Sequence, residues 1–216
     1  VTHGWLKAML APFEDKKCGI VGARLIYPDG RLQEAGSIIW ADGTGWNYGH
    51  GDLPYLPQYS YRKEVDYCSG ACLMLPKTLW TEIGGFDLRY APAYYEDTDL
   101  CFAVRARGLK VIYQPEAQII HYGGGSAGTD ISQGYKRYQE INQEKFVEKW
   151  IDVLQEEHHP GPEELYFARE RGAERRILVI DHYAPAYDRD AGSVRMFNLL
   201  KVLLGMGFKV LFWPDN

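Results

Sequence analysis

The sequence predicts an α/β fold in which strands and helices alternate along the chain. Apolar runs bounded by glycine or by turn residues, such as 18–27, are typical of buried strands. Segment 96–108 has the apolar spacing of a helix, with acids in its first turn and Gly108 at its end. "RILVIDHY", "AGSVRMFNLLKVLLGMG" and "FKVLFW" then follow in the β-α-β order that begins a parallel sheet.

The individual elements follow from the same patterns. The predicted elements are, in chain order, a helix at 4–13, strands "CGIVGARLIY" and "EAGSIIW", a long aromatic loop at 42–61, a strand at 64–77, a helix at 77–83, the helix at 96–108, strands "LKVIYQ" and "AQIIHY" joined by Pro115-Glu116, a flexible glycine loop at 123–128 and a long helix from Ser132 to Leu154. After residue 155 the chain becomes charged and contains two prolines, which is typical of a linker. We therefore predict a domain at 1–155, a linker at 156–174 and the start of a second, Rossmann-like domain at 175–216.

Composition narrows the functional classes. The 216 residues include 24 Lys and Arg against 29 Asp and Glu, so the net charge of -5 offers no electrostatic basis for nucleic-acid binding. No apolar run approaches the ~20 residues that span a bilayer, although peripheral association with a membrane stays compatible with the sequence. The four cysteines lack the spacing of a zinc site and indicate reduced thiols, as in a cytoplasmic protein or one at the inner face of a membrane.

Three acids occupy the first turn of the helix at 96–108, namely Glu96, Asp97 and Asp99. Their ordinary role would be a favourable interaction with the helix dipole. Asp97, however, shares its helical face with three apolar residues, Leu100, Cys101 and Val104. That face should point inward, whereas Asp99 falls to one side of it. The spacing therefore places Asp97 at the rim of a pocket, where it could act as a general base.

His121 stands at the end of a predicted strand, directly before three glycines. Two interpretations are open. The imidazole can be a strand-end side chain bonded to the backbone, or it can be a ligand of a divalent metal ion.

Four segments carry a resemblance to a known family. They are "VGARLIYPDGRLQEAGSIIW", "VDYCSGACLMLPKTLWTEIGGFD", "YYEDTDLCFAVRARGLKVIYQPEAQIIHYGGGS" and "YKRYQEINQEKFVEKW". Together they resemble the C-terminal half of a family 2 glycosyltransferase of the GT-A fold. The match runs from 1 to 154 and is closest to bacterial rhamnosyltransferase-like enzymes of surface-polysaccharide synthesis. The resemblance implies transfer of a sugar from a nucleotide-diphosphate donor to a hydroxyl of a glycan or lipid-linked acceptor, usually with inversion and with Mg²⁺ or Mn²⁺.

The resemblance also implies roles for individual residues. Glu96 and Asp97 match the family's acidic pair, with Asp97 as the base, and His121 matches a histidine that joins the metal site in some relatives. For acceptor or substrate binding we assign five further residues, Asp66, Ser69, Gly70, Trp46 and Tyr95.

One departure from the family concerns the donor site. The family's nucleotide-binding strand and its Asp-x-Asp metal motif lie N-terminal to the residues present here, and the chain begins without Met. We therefore expect a piece of a longer protein that transfers no sugar by itself, binds nucleotide diphosphates weakly and exposes an apolar edge of "GIVGARLIY". The Gln-x-x-Arg-Trp motif of processive enzymes is also missing, which favours single additions.

The segment 175–216 resembles, over a short stretch, the first β-α-β unit of a GT-B-fold, family 4-like glycosyltransferase. A different class of function stays open for the whole chain. It could be a sugar-binding module without catalysis, which would stack glycans on the aromatic residues between 40 and 61. These are Trp40, Trp46, Tyr48, Tyr55, Tyr59 and Tyr61.

Overall fold

The computed structural model describes residues 1–122, 137–171 and 175–215. The chain divides into two compact units, Val1–Arg171 and Gly172–Asn216. The described helices of the first unit are α1 Trp5–Leu10, α2 Lys77–Ile83, α3 Glu96–Arg105, α4 Tyr138–Glu157 and α5 Leu165–Ala168. Its strands are β1 Cys18–Ile26, β2 Leu32–Glu34, β3 Ser37–Ile39, β4 Gly45–Asn47, β5 Lys63–Glu64, β6 Leu73–Met74 and β7 Lys110–Ile120. The predicted glycine loop at 123–128 and the predicted helix start at Ser132 lie outside the described residues.

The main sheet of the first unit is mixed, with the order β2-β1-β7-β5 and with β6 also paired to β1. Strand β1 is parallel to β7 and antiparallel to β2 and β6. Every residue of β1 is buried, as its continuous apolar sequence requires. The expectation of an exposed apolar edge at "GIVGARLIY" is therefore wrong, because β1 has strand partners on both sides.

The sequence predicted two strands joined by Pro115-Glu116, and this expectation is wrong. Residues 110–120 form one strand, β7. Pro115 has no N–H to donate to a ladder, and the pairing with β1 is interrupted around it. Ala23 pairs with Gln114, but the next residue of β1, Arg24, pairs with Gln118. A bulge in β7 thus accommodates Pro115, and the strand continues beyond it.

The predicted strand at 64–77 is also shorter than expected. Only β5 and β6 at its two ends pair in the sheet, and the segment between them is irregular. The predicted loop at 42–61 in turn contains β4, which pairs with β3 as a small hairpin. Ser69 and Gly70 lie in the irregular segment between β5 and β6.

Helix α3 is packed on two sides. Leu100, Cys101 and Val104 join the core above the sheet, whereas Phe102 packs against Phe146 and Leu154 of α4. The expectation that Asp99 leaves the buried part of the helix is wrong, because α4 covers that side and leaves Asp99 only 3% exposed. Helix α4 itself has a non-helical residue, Trp150.

Part of the predicted linker is folded onto the first unit. A 3₁₀ turn at Pro162–Glu164 leads into α5, and Leu165 and Ala168 pack against the core. The second unit consists of β8 Arg175–Asp181, α6 Ala191–Gly205 and β9 Phe208–Pro214, with β8 and β9 parallel. Across the parts of the chain with described structure, no helix has both the length and the apolarity needed to cross a membrane.

Candidate functional site

An open cavity of about 1030 Å³ lies in the first unit, at the N-terminus of α3. It is of the size that takes a small ligand. The structure brings seven of the eight predicted site residues to its lining, namely Trp46, Ser69, Gly70, Tyr95, Glu96, Asp97 and His121. These residues come from segments that are far apart in the sequence, so the cavity is a product of the tertiary fold.

Asp97 is half-buried at this cavity. Its Oδ2 accepts a hydrogen bond from the amide of Gly70 at 2.7 Å, and its Oδ1 accepts one from the amide of Thr98 at 2.7 Å. Burial raises the pKa of the Asp97 carboxyl, and the two amides act in the opposite direction. A carboxylate has about four lone-pair positions, so Asp97 keeps capacity to accept a proton from a substrate hydroxyl.

Glu96 precedes Asp97 and is also half-buried. Burial, followed by the charge of Asp97, raises the pKa of its carboxyl. One of its oxygens, Oε2, is buried and has no hydrogen-bond partner among the residues that the structure describes. The pair therefore provides carboxylate oxygens that can accept hydrogen bonds from a ligand in the cavity.

The backbone before α3 is strained. Tyr94 and Tyr95 have φ values of 73° and 70°, in the left-handed region that side-chain-bearing residues rarely adopt. A buried amide on α4 holds this turn, because Nδ2 of Asn142 donates to the carbonyl oxygens of Tyr90, Ala93 and Tyr94 at 2.7, 2.8 and 3.1 Å. Asn142 was not predicted from the sequence, where it is one polar residue among many on a long helix. It positions the turn that presents Glu96 and Asp97.

We expect Asn142→Ala to lower the free energy of unfolding by about 1–3 kcal/mol, because three carbonyl groups lose their donor at once. Amide hydrogen exchange in the turn should accelerate in the same variant. Urea unfolding and exchange mass spectrometry measure the two effects. Glu144→Ala, an exposed change on the same helix, is the matched control. Unchanged exchange in the turn would contradict the assigned role of Asn142.

His121 lies on the cavity wall at the end of β7. Its Nδ1 is 3.0 Å from Oε1 of Gln33; in the tautomer with the proton on Nδ1 this contact is a hydrogen bond, and Nε2 carries the lone pair. This arrangement fits one metal ligand, because Nε2 is the nitrogen left for coordination. Within 1–122, 137–171 and 175–215, no group of three His, Cys, Asp or Glu side chains is arranged to hold a metal ion. Among the described residues His121 is therefore one candidate ligand, and no complete ligand set is present.

Asp66 is the predicted site residue that the structure does not bring to the cavity. It is 4% exposed, and its carboxylate accepts hydrogen bonds from the amide of Ile39 at 2.9 Å and from Arg171 at 2.6 Å. Arg105 and His158 lie at 4.0 and 3.6 Å. These partners give Asp66 a role in holding the C-terminal part of the first unit, and we do not include it in the proposed site.

The aromatic residues between 40 and 61 do not form a continuous stacking surface. Trp40, Tyr48 and Tyr59 are buried in the core. Trp46 is 46% exposed at the cavity, with its ring 5.8 Å from that of Trp40. Tyr55 is exposed but does not line the cavity. Tyr48 and Tyr59 also line the cavity but are only 6% and 4% exposed, so of these aromatic residues Trp46 offers the most ring surface for stacking there.

Comparison with known proteins gives a match over this same part of the chain. The family described as "Glycosyltransferase like family 2" matches residues 2–137. The chain is 34% identical over 135 residues to the uncharacterized protein y4gI of Sinorhizobium fredii, a match that covers 59% of this chain and 14% of that protein. It is 26% identical over 136 residues to the O-antigen biosynthesis protein RfbC of Myxococcus xanthus, covering 60% of this chain and 10% of that protein.

A shorter match involves an enzyme with a named reaction. Over 68 residues the chain is 35% identical to an N-acetylglucosaminyl-diphospho-decaprenol L-rhamnosyltransferase of Mycobacterium tuberculosis, covering 32% of this chain and 22% of the enzyme. The chain thus spans less than a quarter of the length of each of these relatives.

Proposed function

The chain belongs to the glycosyltransferase-like family 2, which matches more than half of it, and we propose that it forms the acceptor side of an enzyme that transfers a sugar. The donor is a nucleotide-diphosphate sugar, and the acceptor is a hydroxyl of a growing glycan or of a lipid-linked sugar. The names of two relatives, an O-antigen biosynthesis protein and a rhamnosyltransferase, support glycan synthesis as the setting.

The observation that carries this proposal is the carboxylate of Asp97 at the cavity. Its oxygens are oriented by the amides of Gly70 and Thr98, and burial raises its pKa toward the range of a useful base. In the proposed reaction Asp97 removes the proton of the acceptor hydroxyl as that oxygen attacks the anomeric carbon of the donor. Attack from the face opposite the leaving nucleotide inverts the configuration, and a hexose is the class of sugar we propose.

The donor diphosphate carries charge that must be neutralised, and a divalent ion such as Mg²⁺ or Mn²⁺ supplies this when bound. His121 is the described residue that fits one ligand position, through Nε2. Mg²⁺ is commonly held by few protein ligands together with substrate phosphates, which agrees with a partial ligand set here.

We expect His121→Ala to raise the metal concentration for half-maximal activity about 10- to 100-fold, since a ligand or its support is lost. Calorimetric titration with Mn²⁺ in the presence of the nucleotide should show the same weakening without reference to turnover. His159→Ala is the matched control, because His159 bonds to Glu164 and does not line the cavity. Identical metal titrations for His121→Ala and the parent would show that His121 is not a metal ligand and acts only as a strand-end side chain.

The proposed function is tested by incubating the intact enzyme with nucleotide-diphosphate sugars and glycan acceptors. Release of nucleoside diphosphate should require both substrates and should disappear in Asp97→Asn. Glycan binding that is unaffected by metal and by Asp97→Asn, without any release, would instead favour the sugar-binding module.

The second unit supports a separate proposal. Its parallel β8 and β9, with α6 between them in sequence, agree with the first β-α-β unit of a Rossmann-like, GT-B-type domain. Asp190 caps the N-terminus of α6, where its carboxylate accepts from the amide of Ser193 at 2.8 Å. The parent would then be a tandem glycosyltransferase.

A further inference from the structure

Glu34, at the end of β2, is a buried carboxylate that the sequence did not single out. It is 1% exposed. Its Oε1 accepts a hydrogen bond from the amide of Ser69 at 3.0 Å, and within the described residues no donor lies in hydrogen-bond geometry to its buried Oε2. A charged side chain is rarely left in this state, since burial of an incompletely paired carboxylate is costly.

The segment that holds Glu34 also holds Asp97. The amide of Ser69 donates to Glu34, and the next amide, that of Gly70, donates to Asp97 Oδ2 at 2.7 Å. A Cβ added at Gly70 would lie 3.3 Å from this same oxygen, so the backbone approaches Asp97 closely. Two successive backbone amides thus link the two carboxylates.

We propose that Glu34 is a positioning residue for the transfer reaction, which anchors the Ser69–Gly70 segment beside Asp97 and, in its neutral form, leaves the negative charge of the pair on Asp97. This inference rests on the proposed role of Asp97 as base. The proton on Glu34 leaves the charge on Asp97, the member of the pair that lines the cavity.

The groups around Glu34 agree with this distribution of charge. Burial raises the pKa of Glu34 to about 7; the Ser69 amide lowers it, the charge of Asp97 on α3 raises it, and the Ser37 hydroxyl on β3 lowers it. The other titratable groups that feel its charge are Tyr67 and Cys68 before β6, Cys101 on α3 and Tyr113 on β7. Burial raises the pKa of each of these four, so they stay neutral near pH 7. Glu34 is then protonated below pH 7 and becomes charged as the pH rises through it.

The first test uses the 216-residue chain and needs no turnover. In carbon-detected NMR titrations, the carboxyl of Glu34 should change protonation near pH 7, and Asp97→Asn should lower that midpoint by about one unit because a neighbouring charge is lost. A midpoint in the ordinary range of glutamate, or one that Asp97→Asn does not move, would overturn the proposal. This result is independent of whether the chain belongs to a sugar transferase.

The second test follows kcat/KM against pH in the intact enzyme. Glu34→Gln keeps an acceptor for the Ser69 amide and stays neutral at every pH. It should therefore retain transfer, and its profile of kcat/KM against pH should keep the acid limb set by Asp97. The inflection near pH 7, which we assign to the ionisation of Glu34, should be lost. Glu34→Ala removes the anchor and should lower kcat/KM about 100-fold, the scale of a misplaced catalytic group. Persistence of the inflection in Glu34→Gln, or parental rates in Glu34→Ala, would contradict the proposal.

Glu64→Gln is the matched control for both experiments. Burial raises the pKa of Glu64 as well, but its charged neighbours are Lys110, Arg171, Arg105 and Asp66, and it does not line the cavity. It should leave the pH profile unchanged. If the parent releases no nucleoside diphosphate when both substrates are present, the proposed function fails; if the parent is active, Asp97→Asn is inactive and the Glu34 variants behave as the parent, only the role of Glu34 fails.

Discussion

Asp97→Asn is expected to lower the rate of sugar transfer about 10²- to 10⁴-fold, the usual cost of losing a general base. The asparagine oxygen can still accept from the amide of Gly70, but an amide side chain cannot take the proton of an acceptor hydroxyl. The fold should persist, because the side chain keeps its shape and only the amide of Thr98 loses its acceptor. Transfer rates at saturating donor and acceptor, together with urea unfolding midpoints, measure the two parts of the prediction.

Asp152→Asn provides the matched control for this variant, since it makes the same chemical change at an exposed position on α4. It should transfer sugar at the parental rate. Near-parental turnover of Asp97→Asn would mean that another group accepts the proton, and the assignment of Asp97 would then be withdrawn.

Asp99→Ala is expected to act on the fold instead, lowering the free energy of unfolding by about 3–5 kcal/mol, the scale of a buried ion pair that loses one partner. Asp99 accepts hydrogen bonds from Tyr90 at 3.1 Å, from Trp150 at 2.7 Å and from Lys149 at 2.9 Å. Its removal leaves these donors with fewer acceptors in the contact between α3 and α4. The midpoint of urea unfolding, monitored by tryptophan fluorescence, measures the loss.

Asp15→Ala is the comparison for the Asp99 variant, because the ion pair of Asp15 with Lys110 is solvent-exposed and such pairs contribute little. It should leave the unfolding midpoint unchanged within error. An Asp99→Ala protein that unfolds at the parental urea concentration would show that α4 does not depend on this carboxylate.

The contrast between Asp97 and Asp99 shows how far a helical pattern can be interpreted. The spacing of Leu100, Cys101 and Val104 correctly predicted the side of α3 that joins the core above the sheet. The pattern could not show that α4 would cover a second side, because that contact depends on residues far along the chain. Asp99 was therefore expected at the periphery and is found buried.

Local signals predicted other elements well. The helix at 77–83 and the strand at 18–26 have the expected places, because glycine pairs and a continuous apolar run mark them locally. The bulge that carries Pro115 through β7 was not predicted, since it depends on pairing with β1. Glu34 and Asn142 were missed for a similar reason, because their partners are backbone groups that only the tertiary fold brings within reach.

The position of β1 between β2, β6 and β7 also has a consequence for how the chain folds. Its parallel partner β7 is synthesised long after it, with α2 and α3 in between, so the centre of the sheet is built from contacts of large sequence separation. Closing such a long loop precedes the gain from pairing, and topologies of this kind fold slowly. During synthesis the apolar β1 therefore remains unpaired with β7 until β7 has been translated. We therefore expect the risk of aggregation to be greatest in the nascent chain, after β1 has been translated and before β7 has been.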